Sequence, residues 1–150
     1  MQRYLVVSAL LFLFGCGAAS VRDSDLPAIN DRAKAGNAVV VRISSFLGVL
    51  QGWQIKVDGT NLFGIGSGEY TEFLLPEGEY YITLKCFQPF VDWFMYREVH
   101  FEDTLMFYVR PSQTRYFLAS PSWKSGKIRQ SNETEAKKYI KQSKFISLDN

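Results

Sequence analysis

The sequence WQIKVDG, residues 53–59, is the clearest indication of the fold of this chain. Apolar and polar side chains alternate strictly through residues 53–57, which is typical of a β-strand with one buried and one solvated face. The Asp-Gly pair at 58–59 is a strong turn signal. The chain is therefore predicted to return as a hairpin through residues 62–65.

Short β-branched and aromatic runs separated by turn residues continue on both sides of this hairpin. The first is residues 38–44, and a Pro-Glu-Gly turn at 76–78 is predicted to join 70–75 and 79–87 as a second hairpin. Further strands are predicted at residues 97–101, 105–110 and 115–119. About seven short strands with regular turns predict a mostly β fold, an antiparallel β-sandwich.

The C-terminal segment has a helical pattern instead. Ser131 or Asn132 is a suitable N-cap, two glutamates follow in the first turn, and lysines gather toward the other end. Three apolar residues share one face: Ala136, Tyr139 and Ile140. One amphipathic helix over residues 133–142 is therefore predicted to pack on the sheet or to cover one of its edges.

The N-terminal residues carry a targeting signal. Arg3 precedes an apolar stretch over residues 4–14, which is followed by Gly15 and Cys16. A membrane-spanning helix needs about 20 apolar residues, so this stretch is too short for one and fits a secretion signal. An ordinary cleaved signal, with Cys16 incidental, is the alternative.

LFGC at residues 13–16, after a basic and then an apolar segment, resembles the lipobox of bacterial lipoproteins. The resemblance implies that the signal at residues 1–15 is removed and that Cys16 is acylated and attached to the membrane. Gly17 stands where, in enteric bacteria, an aspartate would favour retention in the inner membrane. The expected location is therefore the cell envelope, at the outer membrane facing the periplasm.

Domain organisation follows from composition. Residues 16–37 are small and charged without a sustained apolar period, so they cannot offset their chain entropy and are predicted to form a lipidated tether. Residues 38–150 are long enough for one domain with a core.

Charge is nearly balanced overall but unevenly distributed. The 150-residue chain has a formal net charge of +2, which gives no indication of a nucleic-acid partner. Acidic residues dominate between 52 and 109, and basic residues dominate from 124 to the end. The basic segment is either a solvated helix face matched within the chain, or a surface that contacts anionic lipid headgroups or acidic cell-wall polymer.

Two turn motifs carry a second resemblance. VDG at 57–59 and LPEGEYYI at 75–82 are similar to the V-D-G and L-P-x-G-x-Y-x-I pattern of transthyretin-like, or carboxypeptidase-regulatory-like, sandwiches. Residues 38–139 also resemble a family of bacterial lipoprotein domains of unknown function. The resemblance implies a sandwich fold and lipid anchoring, and it supplies no catalytic residues.

Three candidate sites for chemistry are weak. If Cys16 is acylated, Cys86 is the remaining thiol, and strand alternation predicts that it is a small buried residue rather than a nucleophile. Glu98, His100 and Glu102 share one strand face and are potential metal ligands, but a solvated face explains them better. GIGSG at 64–68 precedes a strand and is predicted to be a turn, not a phosphate loop. We therefore predict no catalytic residue, metal or cofactor.

The aromatic segment over residues 87–96 is the better functional candidate. It either fills the core or presents Phe90, Trp93 and Phe94 as a contact surface. Three functions are considered: a lipid-anchored module that contacts another envelope protein, a small-ligand or glycan-binding domain that uses the aromatic segment, and a metal-dependent enzyme. The first is preferred.

Overall fold

The computed structural model describes residues 26–46, 52–88, 99–122 and 125–148. Nine strands lie in this part of the chain: β1 (Ala35–Arg42), β2 (Gly52–Val57), β3 (Thr60–Gly64), β4 (Glu69–Pro76), β5 (Gly78–Gln88), β6 (Val99–Val109), β7 (Thr114–Pro121), β8 (Gly126–Ser131) and β9 (Lys144–Phe145). One α-helix, α1 (Glu133–Ile140), and one 3-10 turn (Arg32–Lys34) are also present among these residues.

The strands form two sheets with a shared core. The first sheet has the strand order β8-β7-β1-β4-β9, and the second has the order β3-β2-β5-β6. One cluster of buried side chains draws on both sheets. Its fully buried members include Ile55, Leu75, Ile82, Leu84 and Phe117. The prediction of a mostly β sandwich with a single C-terminal helix is confirmed, with nine strands rather than about seven.

The first sheet is mixed rather than purely antiparallel. β1 pairs with β7 in parallel, so that Val40 lies opposite Phe117, and β9 pairs with β4 in parallel. β1 and β7 can run parallel because the chain between them passes through the second sheet, which supplies the long crossover that parallel strands need. The second sheet has antiparallel pairs throughout.

The hairpin at Asp58 and Gly59 is confirmed. Val57 pairs with Thr60, and the two turn residues have φ values of 48° and 80°. Both central residues of a tight two-residue hairpin turn need positive φ, which Gly adopts without strain and Asp tolerates. β2 and β3 are therefore fixed as neighbours by the local sequence.

The predicted second hairpin is wrong. β4 lies in the first sheet, between β1 and β9, whereas β5 lies in the second sheet, between β2 and β6. The Pro76–Gly78 turn therefore carries the chain from one sheet to the other. Turn chemistry reverses the chain direction in both cases, and it does not specify whether the next strand pairs with the previous one.

The predicted strands at 97–101 and 105–110 correspond to one continuous strand, β6, over residues 99–109. Within it, Asp103 accepts a hydrogen bond of 2.8 Å from the backbone N–H of Ile128 on β8. This bond joins the edge strand of the second sheet to the edge strand of the first. β8 and β9 were not predicted, since β8 contains a single large apolar residue and β9 has two residues.

The helix α1 begins as predicted and ends two residues earlier, at Ile140. Asn132 is the N-cap, and its side-chain oxygen accepts a hydrogen bond of 2.8 Å from the N–H of Glu135. Ala136 is fully buried in a second apolar cluster on the outer side of the first sheet. The cluster also contains Val39, Val41 and Leu118, with Tyr139 and Ile140 packed against it. The helix therefore covers the face of this sheet.

The folded domain begins earlier than residue 38. β1 starts at Ala35, and Leu26 packs against the main core, so residues 26–37 do not belong to a tether. The predicted signal at residues 1–15 and Cys16 lie outside the described residues. Within the described part of the chain, no helix is long and apolar enough to cross a membrane.

Candidate functional site

Five connections meet at one end of the sandwich, which we call the loop end. The pairings of Arg42 with Ala119, of Val41 with Tyr70, of Gly52 with Phe87 and of Glu69 with Lys144 show which strand ends lie together. The connections at the loop end are residues 43–51, 65–68, 89–98, 122–125 and 141–143. The β2–β3 turn and the turn between β4 and β5 lie at the opposite end.

The aromatic segment belongs to this loop end. β5 and β6 stay in register up to the pair Gln88 and Val99, so residues 89–98 connect two adjacent strand ends. Phe90, Trp93 and Phe94 lie outside the described residues, and the structure places only the two strand ends that carry them.

Phe46 contributes a second apolar group to the loop end. Its side chain is 95 % exposed, the highest value among the exposed large hydrophobic residues described. It begins the sequence FLGVL at residues 46–50, which leads from β1 toward β2. Two apolar connections therefore start from the same end of the sandwich, one after β1 and one after β5.

Arg42 lies beneath the loop end and is only 2 % exposed. Alternation along β1 places it on the inner face with Val40, and its Nη1 donates a hydrogen bond of 2.6 Å to the carbonyl oxygen of Ile65. Its guanidinium carbon lies 3.9 Å from the centroid of the Trp53 ring, at cation–π distance. Arg42 thus ties β1 to β2 and to the connection between β3 and β4.

Arg42 stays charged at neutral pH. Burial lowers the pKa of its guanidinium to about 10, and the nearby Cys86 and Glu69 oppose part of that effect. A buried charge of this kind persists only if its hydrogen bonds are satisfied. The conformation of the residues 65–68 connection is therefore coupled to the interior of the sandwich through Ile65.

Cys86 lies in the same region and is chemically unreactive. The side chain is 1 % exposed, which confirms the prediction of a small buried residue. Burial raises the pKa of its thiol to about 11, although a hydrogen bond with the backbone of Gly126 and the charge of Arg42 both act in the opposite direction. Because the thiolate is the nucleophile, the neutral thiol is a poor one at pH 7.

Gly126 closes the core at this end. A Cβ atom at this position would lie 2.5 Å from the Cys86 sulfur and 2.8 Å from a methyl carbon of Leu84. The absence of a side chain lets the start of β8 approach β5 closely. Arg42, Trp53, Cys86 and Gly126 therefore fill the space between the sheets directly below the loop end.

The possible metal ligands do not form a site in the described structure. Glu102 binds Lys56 Nζ at 3.2 Å, the backbone of His100 pairs with Phe87, and Glu98 lies outside the described residues. Across residues 26–46, 52–88, 99–122 and 125–148, no three His, Cys, Asp or Glu side chains come together as potential ligands. The GIGSG segment leads into β4, as predicted, and Glu69 accepts a hydrogen bond of 2.6 Å from the N–H of Gly66.

A groove of about 630 Å³ lies away from the loop end, between the N-terminal segment and β4. Its charged lining residues are Arg32 and Glu72, and Glu72 already accepts a hydrogen bond of 3.3 Å from Asn37. The groove therefore lacks the convergent polar groups that orient a small ligand.

No protein-family model, curated protein or solved structure matches the chain. The site is therefore defined by its geometry alone. Sequence reasoning did not find the buried Arg42. The sequence feature that could have indicated its burial is a single arginine inside an apolar β-branched run, VVVRI at residues 39–43.

Proposed function

We propose that this chain is a lipid-anchored, non-catalytic module of the bacterial cell envelope, which contacts another envelope protein through its loop end. One observation carries the proposal: β1 and β5, each followed by an apolar sequence, end at the same end of the sandwich, and Phe46 after β1 is 95 % exposed. Exposed apolar groups gathered at one place are typical of protein contact sites.

The composition of the aromatic segment supports a contact role, because aromatic side chains are enriched where proteins bind one another. Phe90, Trp93 and Phe94 are the residues proposed for the contact, and they lie outside the described residues. Trp53 and Cys86, on the strands beside the start of this segment, are buried.

The absence of catalysis is proposed from the chemistry of the buried groups. The raised pKa keeps the Cys86 thiol neutral at pH 7, and the guanidinium of Arg42 donates a hydrogen bond to the carbonyl oxygen of Ile65 inside the fold. A metal-dependent enzyme based on His100 and Glu102 has little support, since Glu102 is paired with Lys56. A glycan-binding domain that stacks sugars on the aromatic segment remains the second candidate.

The lipid anchor is proposed from the lipobox resemblance at residues 13–16. Nine residues lie between Cys16 and Leu26, the first residue that the structure describes. A fully extended chain of that length spans at most about 35 Å. The module would thus remain close to the outer membrane, within reach of other proteins attached there.

In-cell photocrosslinking tests the contact role. A photoreactive residue replaces Phe90 or Trp93 in the full chain. Thr60, the exposed first residue of β3 at the opposite end, receives the same replacement as the control. We expect a discrete protein adduct from the loop-end positions and none from residue 60.

The double substitution of Trp93 and Phe94 by Ser completes the test. We expect it to abolish an adduct formed from residue 90 while leaving the melting temperature unchanged. A large loss of melting temperature would assign the segment to the core. Absence of any adduct from the loop end, or adducts with glycan only, would count against a protein partner.

A further inference from the structure

The outer surface of the first sheet carries most of the unpaired positive charge of the C-terminal region. Residues 125–142 contain five basic and two acidic side chains, a net charge of +3. Arg129 binds Glu135 and Lys137 binds Glu133, so both carboxylates are already engaged. Three lysines are left over: Lys127, Lys138 and Lys141. We call them the lysine face.

All three residues of the lysine face are exposed. Lys138 lies on α1 and Lys141 is its C-cap, one helical turn further on, and both lie on the side away from the buried Ala136. Lys127 alternates with the buried Ile128 on β8 and therefore points outward from the same sheet. Among the described residues, no carboxylate lies within ion-pair distance of these three lysines.

The second sheet carries no comparable excess of positive charge. Residues 52–64, 78–88 and 99–109, which contain this sheet, carry two lysines and four acidic residues. Asp103 is hydrogen-bonded toward β8, and Glu102 is paired with Lys56. The helix-covered sheet is therefore the more positive of the two. Near an anionic surface, such a domain would be oriented with α1 toward that surface.

We propose that the lysine face binds the anionic headgroups of the membrane that holds Cys16, so that α1 lies against the lipid surface. The proposal rests on the lipid anchor proposed above. The nine residues between Cys16 and Leu26 allow a separation of up to about 35 Å, comparable with the length of an 11-residue strand such as β5 at about 37 Å. The face is within reach of the membrane without a long linker.

A lysine near an anionic lipid surface strengthens binding about five-fold. Three lysines would therefore give about a hundred-fold preference for an anionic over a neutral surface, which is weak for a free domain. Attachment through Cys16 raises the local concentration and makes such a contact effective. The contact would set the orientation of the module at the membrane.

Vesicle co-sedimentation tests the proposal independently of the lipid. The chain from residue 26 to 150 contains every described element and both apolar clusters, so it is expected to fold without the preceding residues. Its partitioning is measured on phosphatidylcholine vesicles and on vesicles with one third phosphatidylglycerol, at low salt and at about 0.2 M salt, where charges beyond about 8 Å are screened. We expect binding to the anionic vesicles only, and loss of binding at the higher salt.

Two double variants locate the surface. Lys138→Gln with Lys141→Gln should weaken partitioning about 30-fold. Lys34→Gln with Arg110→Gln removes the same charge at the opposite end of the sandwich and should change it less than about three-fold. Lys138→Arg with Lys141→Arg should retain binding, since the charge is kept. Urea unfolding of each variant checks that the fold is intact.

Three results would overturn the proposal. They are no binding of the unsubstituted chain to anionic vesicles at low salt, equal losses in the two Gln variants, and equally tight binding to soluble polyglutamate, which would indicate a general polyanion surface. Acylation at Cys16 plays no part in this assay. A negative vesicle result therefore does not bear on the proposed lipid anchor, and loss of the anchor hypothesis would not change the interpretation of the vesicle result.

Discussion

Arg42 and Trp53 are stacked inside the sandwich, with the guanidinium carbon 3.9 Å from the ring centroid and both side chains nearly inaccessible. The pair joins β1 of the first sheet to β2 of the second directly below the loop end. A charged group at the junction of two sheets fixes their relative position by directional contacts, which apolar packing alone does not provide.

Replacing Arg42 by Ala is expected to destabilise the protein by about 3 kcal/mol, because it opens a cavity, removes the stack on Trp53 and leaves the carbonyl of Ile65 without that donor. Urea unfolding measures the change. The exposed Arg110→Ala is the control and should stay within about 0.5 kcal/mol. Equal effects of the two substitutions would mean that burial of Arg42 does not contribute to stability.

Cys86 should be protected from alkylation in the folded state. Its pKa is raised from 9.0 to about 11, so at pH 8 the thiolate fraction is about 100-fold lower than in the unfolded chain, and burial adds to the protection. Iodoacetamide labelling of the residue 26–150 chain with and without denaturant, followed by mass spectrometry, gives the ratio. Similar rates in both states would show that the thiol is accessible.

The hydrogen bond from the backbone N–H of Ile128 to the carboxylate of Asp103 is expected to stabilise the contact between β8 and β6 at one side of the sandwich. Asp103→Ala leaves the N–H of Ile128 without its acceptor and is expected to cost about 2 kcal/mol, with faster hydrogen exchange at that amide. The neighbouring Glu102→Ala breaks a partly exposed ion pair with Lys56 and should cost less than about 1 kcal/mol. An unchanged exchange rate at Ile128 in the Asp103 variant would contradict this role.

The contact between β8 and α1 should weaken at acidic pH. Hydrogen bonds from Arg129 and Ser131 lower the pKa of Glu135 from 4.5 to about 2. A carboxyl group with a lowered pKa stabilises the fold above its ordinary pKa, and that stabilisation is lost as the pH falls toward the folded value. The difference in free energy of unfolding between the unsubstituted chain and Glu135→Gln should therefore shrink from pH 4.5 to pH 2. A constant difference would contradict the shift.

Alternation and turn chemistry predicted the local elements well. Residues 53–59 gave a strand and its turn because a two-residue turn with positive φ leaves one geometry for the next strand. The turn at 76–78 was assigned wrongly because passage between sheets depends on which partners β4 and β5 find elsewhere in the chain. β8 was not predicted, because an edge strand buries little apolar surface and therefore has a weak apolar pattern.

The candidate site was only partly predictable. The aromatic segment stood out in the sequence by composition, and the structure adds that it shares its end of the sandwich with Phe46. The burial of Arg42 was not predicted. Both faces of β1 are buried, one in the main core and the other under α1, so the sequence of this strand does not alternate between apolar and polar residues. Only the packing of the helix on the sheet reveals which face Arg42 occupies.

Metabolic labelling with palmitate tests the central claim, a module anchored through Cys16, most directly. The full chain and its Cys16→Ser variant are expressed in a bacterium that processes lipoproteins, and the label is followed on the purified chains. We expect label on the unsubstituted chain and none on the variant. Equal label on both, or none on either, would contradict it.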